Sequence, residues 1–142
     1  MDLKNKNVLL IGAGTTGISV MRFLKRHGAR VILFDEKKKE DFKDTTLQNI
    51  YDFADEVYFE TIADSIIDKV DLYIISPGVS LDKPYVTKAF QKGIEVISEI
   101  ELAYRYCKSK NIIAITGTNG KTTTTTLVGE ILKGFYDDVV VC

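Results

Sequence analysis

The 142-residue sequence predicts an α/β protein: a Rossmann-like, doubly wound parallel sheet, followed by the start of a second unit built around a phosphate loop. Three observations carry that expectation. Short apolar runs alternate with amphipathic helical stretches from Asn7 to Ile97, the order that parallel strands with crossover helices require. The first run ends in Gly12-Ala13-Gly14-Thr15-Thr16-Gly17, a complete G-x-G-x-x-G. A second and different glycine loop, Thr116-Gly117-Thr118-Asn119-Gly120-Lys121-Thr122-Thr123, opens a later helix.

In chain order, Asn7 to Ile11 is a continuous apolar run, the pattern of a parallel strand buried on both faces. The helix after the glycines places Gly17, Val20, Met21 and Leu24 on one face, with Arg22, Lys25 and Arg26 toward water. Gly28 ends it, after basic residues that suit the negative end of the helix dipole. The strand Val31 to Phe34 then delivers Asp35, about 20 residues beyond the glycines, where an acid can accept a hydrogen bond from ribose hydroxyls. Taken alone, these features describe a mononucleotide-binding half. The glycines do not say which nucleotide is bound, so an NAD(H)-binding regulatory or redox module is the alternative reading.

Asp35 to Asp44 is almost entirely charged, with both signs interleaved, and reads as a solvated loop or short surface helix. Glu36 within it is either surface or a partner of Asp35 at a base or sugar edge. Thr46 to Phe53 is weakly helical; Glu56 to Phe59 and Val70 to Ile75 read as strands, with the helical Ile62 to Ile67 between them. The latter strand runs into Ser76-Pro77-Gly78-Val79-Ser80, at the strand end where open α/β sheets bind ligands. Pro77 fixes one dihedral and Gly78 frees the next, so the Ser76 hydroxyl and nearby N–H groups can face a phosphate or a sugar; a plain turn explains the same residues. Pro84 to Lys92 is a helix closed by Gly93, Ile94 to Ile97 a strand, and Ser98 with Glu101 a capping box for a helix reaching about Tyr106.

Ile112 to Ile115 reads as a short buried strand before the second loop. Glycines there let backbone N–H groups turn around phosphate oxygens, and the helix N-terminus adds partial positive charge. Lys121 supplies a point charge to outer phosphates, and the Thr122 hydroxyl can join the shell of a Mg²⁺ ion. The loop is a variant: Ile115 stands where G-x-x-x-x-G-K-[ST] has its first glycine, and Gly117 must do the early turning. Val139 to Val141 looks like a central strand without its sheet.

Composition narrows the remaining classes. Nineteen basic against twenty acidic residues leave a formal net charge of -1, which gives no reason to expect nucleic acid or an anionic membrane as a partner. No apolar segment is long enough to span a bilayer, and no signal peptide is expected. The two cysteines, Cys107 and Cys142, have no spaced partners, so a reducing cytoplasm is the default location. His27, the only histidine, sits at a basic helix end with no visible base or nucleophile beside it and is given no catalytic role.

Two nucleotide loops of different kinds, G-A-G-T-T-G and T-G-T-N-G-K-T-T, with SPGVS at Ser76 and IEVISEIELA from Ile94 to Ala103 between them, resemble the N-terminal part of a Mur ligase. The resemblance covers essentially the whole chain and is strongest to the D-glutamate-adding branch of peptidoglycan synthesis. It implies that residues 1–98 form a Rossmann-like UDP-substrate-binding domain. Residues 99–142 would be a linker helix and the first βαβ unit of a truncated P-loop ATPase-type central domain. It implies UDP rather than a dinucleotide at the first loop, with Gly14, Thr15, Thr16 and Gly17 at the diphosphate, Asp35 and Glu36 at uracil and ribose, and Ser76 and Gly78 beside the substrate. Gly117, Thr118, Asn119, Gly120, Lys121, Thr122 and Thr123 would cradle ATP, with Lys121 catalytic and Thr122 on Mg²⁺. The implied reaction phosphorylates the carboxylate of UDP-N-acetylmuramoyl-L-alanine, and the amine of D-glutamate then attacks the acyl phosphate. The family's remaining metal ligands and amino-acid domain would lie beyond Cys142, so this segment alone is expected to lack turnover, and its unpaired strands to favour self-association.

Overall fold

The computed structural model describes residues 1–109 and 111–141, and the chain divides into two compact units, Met1–Cys107 and Lys108–Cys142. Lys110, at the edge of the expected inter-domain stretch, and Cys142, the last residue of the expected terminal strand, lie outside the described residues.

The first unit is built on five parallel strands: β1 (Asn7–Ile11), β2 (Arg30–Asp35), β3 (Glu56–Phe59), β4 (Leu72–Ile75) and β5 (Glu95–Ser98), in the spatial order β3-β2-β1-β4-β5. Strands run outward from β1 to β3, then the chain returns to the other side of β1, so the order reverses between β1 and β4. Their register pairs Val8 with Leu72 and Ile11 with Ile75. Gly12 and Ser76 therefore leave the sheet side by side, at the switch point where open α/β sheets form a crevice.

Continuous apolar runs make this sheet because both of its faces are covered. Val8, Leu10, Val31, Leu33, Leu72 and Ile74 face α1 (Thr15–Arg26), α2 (Asp44–Phe53) and α5 (Glu99–Tyr106), through Met21, Leu24, Ile50 and Leu102. Leu9, Ile11, Ile32, Phe34, Tyr73 and Ile75 face α3 (Asp64–Ile67) and α4 (Pro84–Gln91), through Ile67, Val86 and Ala89. Each fully buried large apolar side chain favours the folded state by about 1.5–3 kcal/mol over exposure. The helices stop where glycine takes the left-handed region: Gly28 at φ +75° lets Ala29 N–H return to Leu24 O at 3.1 Å, and Gly93 at φ +69° does the same for Ile94 and Ala89 at 3.0 Å.

Local departures have local causes. β4 starts at Leu72 rather than Val70 because the Val70 N–H closes the turn after α3 on Ile67 O at 3.2 Å. The charged stretch after β2 contains a single 3₁₀ turn, Lys39–Asp41, whose residues are exposed. α5 packs with the first unit: Leu102 is in its core, and the Tyr106 hydroxyl donates to Met1 O at 2.8 Å. Tyr106 also stands edge-on to Phe23 and His27. His27 Nδ1 lies 2.9 Å from Phe23 O, and since a carbonyl only accepts, that nitrogen carries the proton.

The second unit, by itself, has one helix among the described residues, α6 (Lys121–Lys133). The strands expected at Ile112–Ile115 and from Asp138 onward form no ladder among the described residues. A β-segment gains its hydrogen bonds from a neighbour, and neither segment has one among the described residues. Both still lie against α6, around a cavity of about 350 Å³ whose lining includes Ile113, Ile115, Val128, Leu132, Val139 and Val141. Gly129 explains itself at this contact, because a Cβ there would run into Val141 Cγ2.

Candidate functional site

The glycine loop after β1 is fixed from three sides. Gly12, at φ +106°, donates its N–H to Phe34 O at 2.9 Å, and a Cβ on it would meet Ser76 Oγ at 2.8 Å. Ala13 is buried and donates its N–H to Asp35 Oδ2 at 2.8 Å. A Cβ on Gly17 would strike the Gly12 carbonyl oxygen, so glycine at that position lets α1 close on the loop. These bonds leave the N–H groups of Gly14, Thr15 and Thr16 with no partner among the described residues, at the exposed start of a twelve-residue helix. No acidic residue occupies its first turn. Orphan donors and the positive dipole end together suit an anion.

Asp35 and Glu36 both stand at this edge, but each is already engaged. Besides Ala13, Asp35 accepts the Lys37 N–H on its other oxygen at 2.9 Å, and so ties the loop to the end of β2. Glu36 accepts from Lys83 Nζ at 2.8 Å and from the Tyr85 hydroxyl at 3.1 Å. The Lys83 bond holds the Glu36 carboxyl below its usual range against the opposing effect of burial, while burial and Glu36 push the Tyr85 phenol up. Tyr85 stands edge-on to Phe34 with ring centroids 5.0 Å apart. Because β2 and β4 flank β1, this Glu36–Lys83–Tyr85 bridge joins the elements on either side of the glycine loop.

Ser76 is half-buried beside Gly12, and its Oγ donates to Glu99 Oε1 at 2.6 Å. Glu99, 7% exposed, is the only charged residue among the described ones in the buried set. It opens α5, whose N-cap Ser98 accepts the Glu101 N–H at 3.0 Å. Glu101 does not complete a capping box; its carboxylate pairs with Arg105 at 2.8 Å instead. Gly78 is exposed, with open space where a Cβ would lie. Lys83, Tyr85 and Glu99 were not picked out from the sequence. Glu99 lies inside the Ser98–Glu101 helix start that the sequence reads as a capping box, and nothing local to Lys83 or Tyr85 announces a partner 47 or 49 residues away.

In the second unit Gly120 is left-handed, at φ +77°, and caps α6. The Thr124 N–H returns to Gly120 O at 2.9 Å, while those of Lys121, Thr122 and Thr123 have no partner among the described residues. Lys121 Nζ folds back on Gly117 O at 2.6 Å, which sets the ammonium over the loop. Gly117 to Thr123, except for backbone groups just named, are exposed. This donor set, free amides plus one ammonium with no acid in the first turn, fits a polyphosphate. Among the described residues no group of three His, Cys, Asp or Glu can hold a metal ion. The Thr122 hydroxyl, in the first turn of α6, is the group here that could join the shell of a Mg²⁺ ion brought by a polyphosphate.

The sheet order, its switch-point crevice and the glycine-loop helix start define a Rossmann-like α/β protein. The chain belongs to the family of the Mur ligase MurD-like N-terminal domain, whose sequence profile it matches over residues 6–98. Across all 142 residues it is 61% identical to the UDP-N-acetylmuramoylalanine--D-glutamate ligase of Caldicellulosiruptor saccharolyticus. It is 63% identical to the ligase of the same name from Caldicellulosiruptor bescii. The chain spans 31% of the length of each of these relatives. A solved structure, a pseudomurein peptide ligase type C from Methanothermus fervidus, is 32% identical with a TM-score of 0.57, over 91% of this chain and 26% of that one.

Proposed function

We propose that the chain supplies the substrate crevice and the phosphate loop of a ligase that adds D-glutamate to UDP-N-acetylmuramoyl-L-alanine at the expense of ATP, in the cytoplasm. The observation that carries this reading is the pair of helix starts with unpartnered amides, one at Gly14–Thr16 and one at Lys121–Thr123. The first receives the diphosphate of the uridine compound, with Gly17 allowing the close approach. Asp35 and Glu36 border the uracil and ribose, and Ser76 and Gly78 border the sugar side. The second receives ATP across Gly117 to Thr123.

In the reaction, the substrate carboxylate attacks the terminal phosphorus of ATP, and ADP leaves. The amine of D-glutamate then attacks the acyl carbon, and inorganic phosphate departs as the amide forms. Lys121 leaves Gly117 O to offset charge on the transferred phosphoryl group, and Thr122 offers its hydroxyl to Mg²⁺, which neutralises phosphate charge when bound. This chain spans 31% of the length of the relatives named above, and in this reading the amino-acid site and the remaining metal ligands belong to sequence other than these 142 residues.

Calorimetric titration of the chain with UDP-N-acetylmuramoyl-L-alanine, ATP and NAD tests the assignment. Binding of the uridine compound, weakened by Thr16→Pro, which removes an amide from the first cradle, is the expected result. Binding of NAD without any response to the uridine compound would replace it by the dinucleotide reading.

A further inference from the structure

A carboxylate buried at a ligand crevice needs a reason, because removing a charge from water is costly unless the site compensates it. Glu99 is compensated on two sides. It opens α5, where the helix dipole favours negative charge, and its Oε1 takes the Ser76 hydroxyl proton at 2.6 Å. The second contact has a chemical consequence. A serine hydroxyl has one proton to give. With that proton committed to Glu99, Ser76 Oγ can meet a ligand only through its lone pairs. Ser76 lies at the switch point, close enough to Gly12 that no side chain fits between them.

We infer that Glu99 is a positioning residue that makes Ser76 an obligate hydrogen-bond acceptor, so that this corner of the crevice selects a hydroxyl or N–H of the sugar nucleotide and turns away phosphate oxygens. Discrimination within the crevice is then divided between two polarities. The free amides of Gly14 to Thr16 take the anionic part of the ligand, and the acceptor at Ser76 takes a donor on its neutral part. The inference rests on the proposed uridine-sugar substrate and adds which kind of group is read where.

The test is the affinity of the chain for UDP-N-acetylmuramoyl-L-alanine, measured by calorimetry beside thermal unfolding of every variant. Glu99→Gln is isosteric, and its amide can donate to Ser76 Oγ and release the serine proton. It should weaken binding about five- to tenfold, the loss expected for one hydrogen bond. Ser76→Ala should lose a similar factor, and the double variant no more than either single one, because both changes remove the same acceptor. Ser76→Ala also strands the Glu99 carboxylate, so Ser76→Thr, which keeps the hydroxyl, serves as the rescue and should recover most of the affinity that Ser76→Ala loses. If Ser76 met phosphate instead, the released proton in Glu99→Gln would tighten binding; tighter or unchanged affinity overturns the inference. Failure of the wild-type chain to bind the uridine compound removes the proposed function, and this inference with it. Wild-type binding with an indifferent Glu99→Gln removes this inference alone.

Discussion

The Asp35 carboxylate accepts the Ala13 N–H at 2.8 Å, across 22 residues of sequence. An acid placed where a dinucleotide fold would greet a ribose is thus also the anchor of the glycine loop. Asp35→Ala removes the acceptor of a buried residue's amide and that of the Lys37 N–H at once. It should cost about 1–3 kcal/mol in urea unfolding. Asp35→Asn retains one oxygen and should cost about half as much. A substitution to Ala with unchanged stability would show that the loop holds itself without this anchor.

The three glycines of the loop are not equivalent. Gly17→Ala places a methyl group against the Gly12 carbonyl oxygen, a backbone atom that cannot step aside, and should destabilise by about 1–3 kcal/mol. Gly14 has φ −66° and open space where a Cβ would be. Gly14→Ala should therefore change stability by less than about 1 kcal/mol, the usual range for swapping a glycine at a helix cap. Equal losses at the two positions in parallel denaturation curves would contradict this assignment.

Asp55 accepts the Val31 N–H at 2.7 Å and pairs with Lys25 at 2.7 Å. Burial raises its pKa, but the bonds from Lys25 and Val31, with the charges of Lys25 and Arg30, outweigh that and leave it below the usual carboxylate value. A depressed folded pKa contributes stability that is fully present above the unfolded value and disappears as pH falls through the folded one. Asp55→Asn should therefore cost about 1 kcal/mol near neutral pH and nothing in strong acid. Unfolding free energies of both proteins across that acid range decide it; a constant gap would mean the loss is one of packing rather than charge.

Tyr73 lies wholly inside the sheet face covered by α3 and α4, and its hydroxyl has no partner among the described residues. Burial first, then the charges of Asp68 and Asp64, push the phenol up to about 12. A buried orphan hydroxyl costs about 1–3 kcal/mol. Tyr73→Phe keeps the ring and should raise the unfolding midpoint, and a lower midpoint would point to a partner such as an internal water.

The sequence by itself determined the strand and helix order of the first unit, because burial on both sheet faces forces apolar runs, and glycine at Gly28 and Gly93 has to end the helices they follow. It also located both glycine loops, since close approach at Gly12 and Gly17 and the left-handed φ of +77° at Gly120 leave a mark in residue type. The tertiary structure alone decided who answers whom. Glu99 reaches Ser76 across 23 residues and Lys83 reaches Glu36 across 47, and no local pattern encodes a partner at such separations. The expected strands around the phosphate loop failed for the same reason in reverse. Apolar character marks a segment as able to pair, but a strand exists only when a second strand is there to receive its hydrogen bonds.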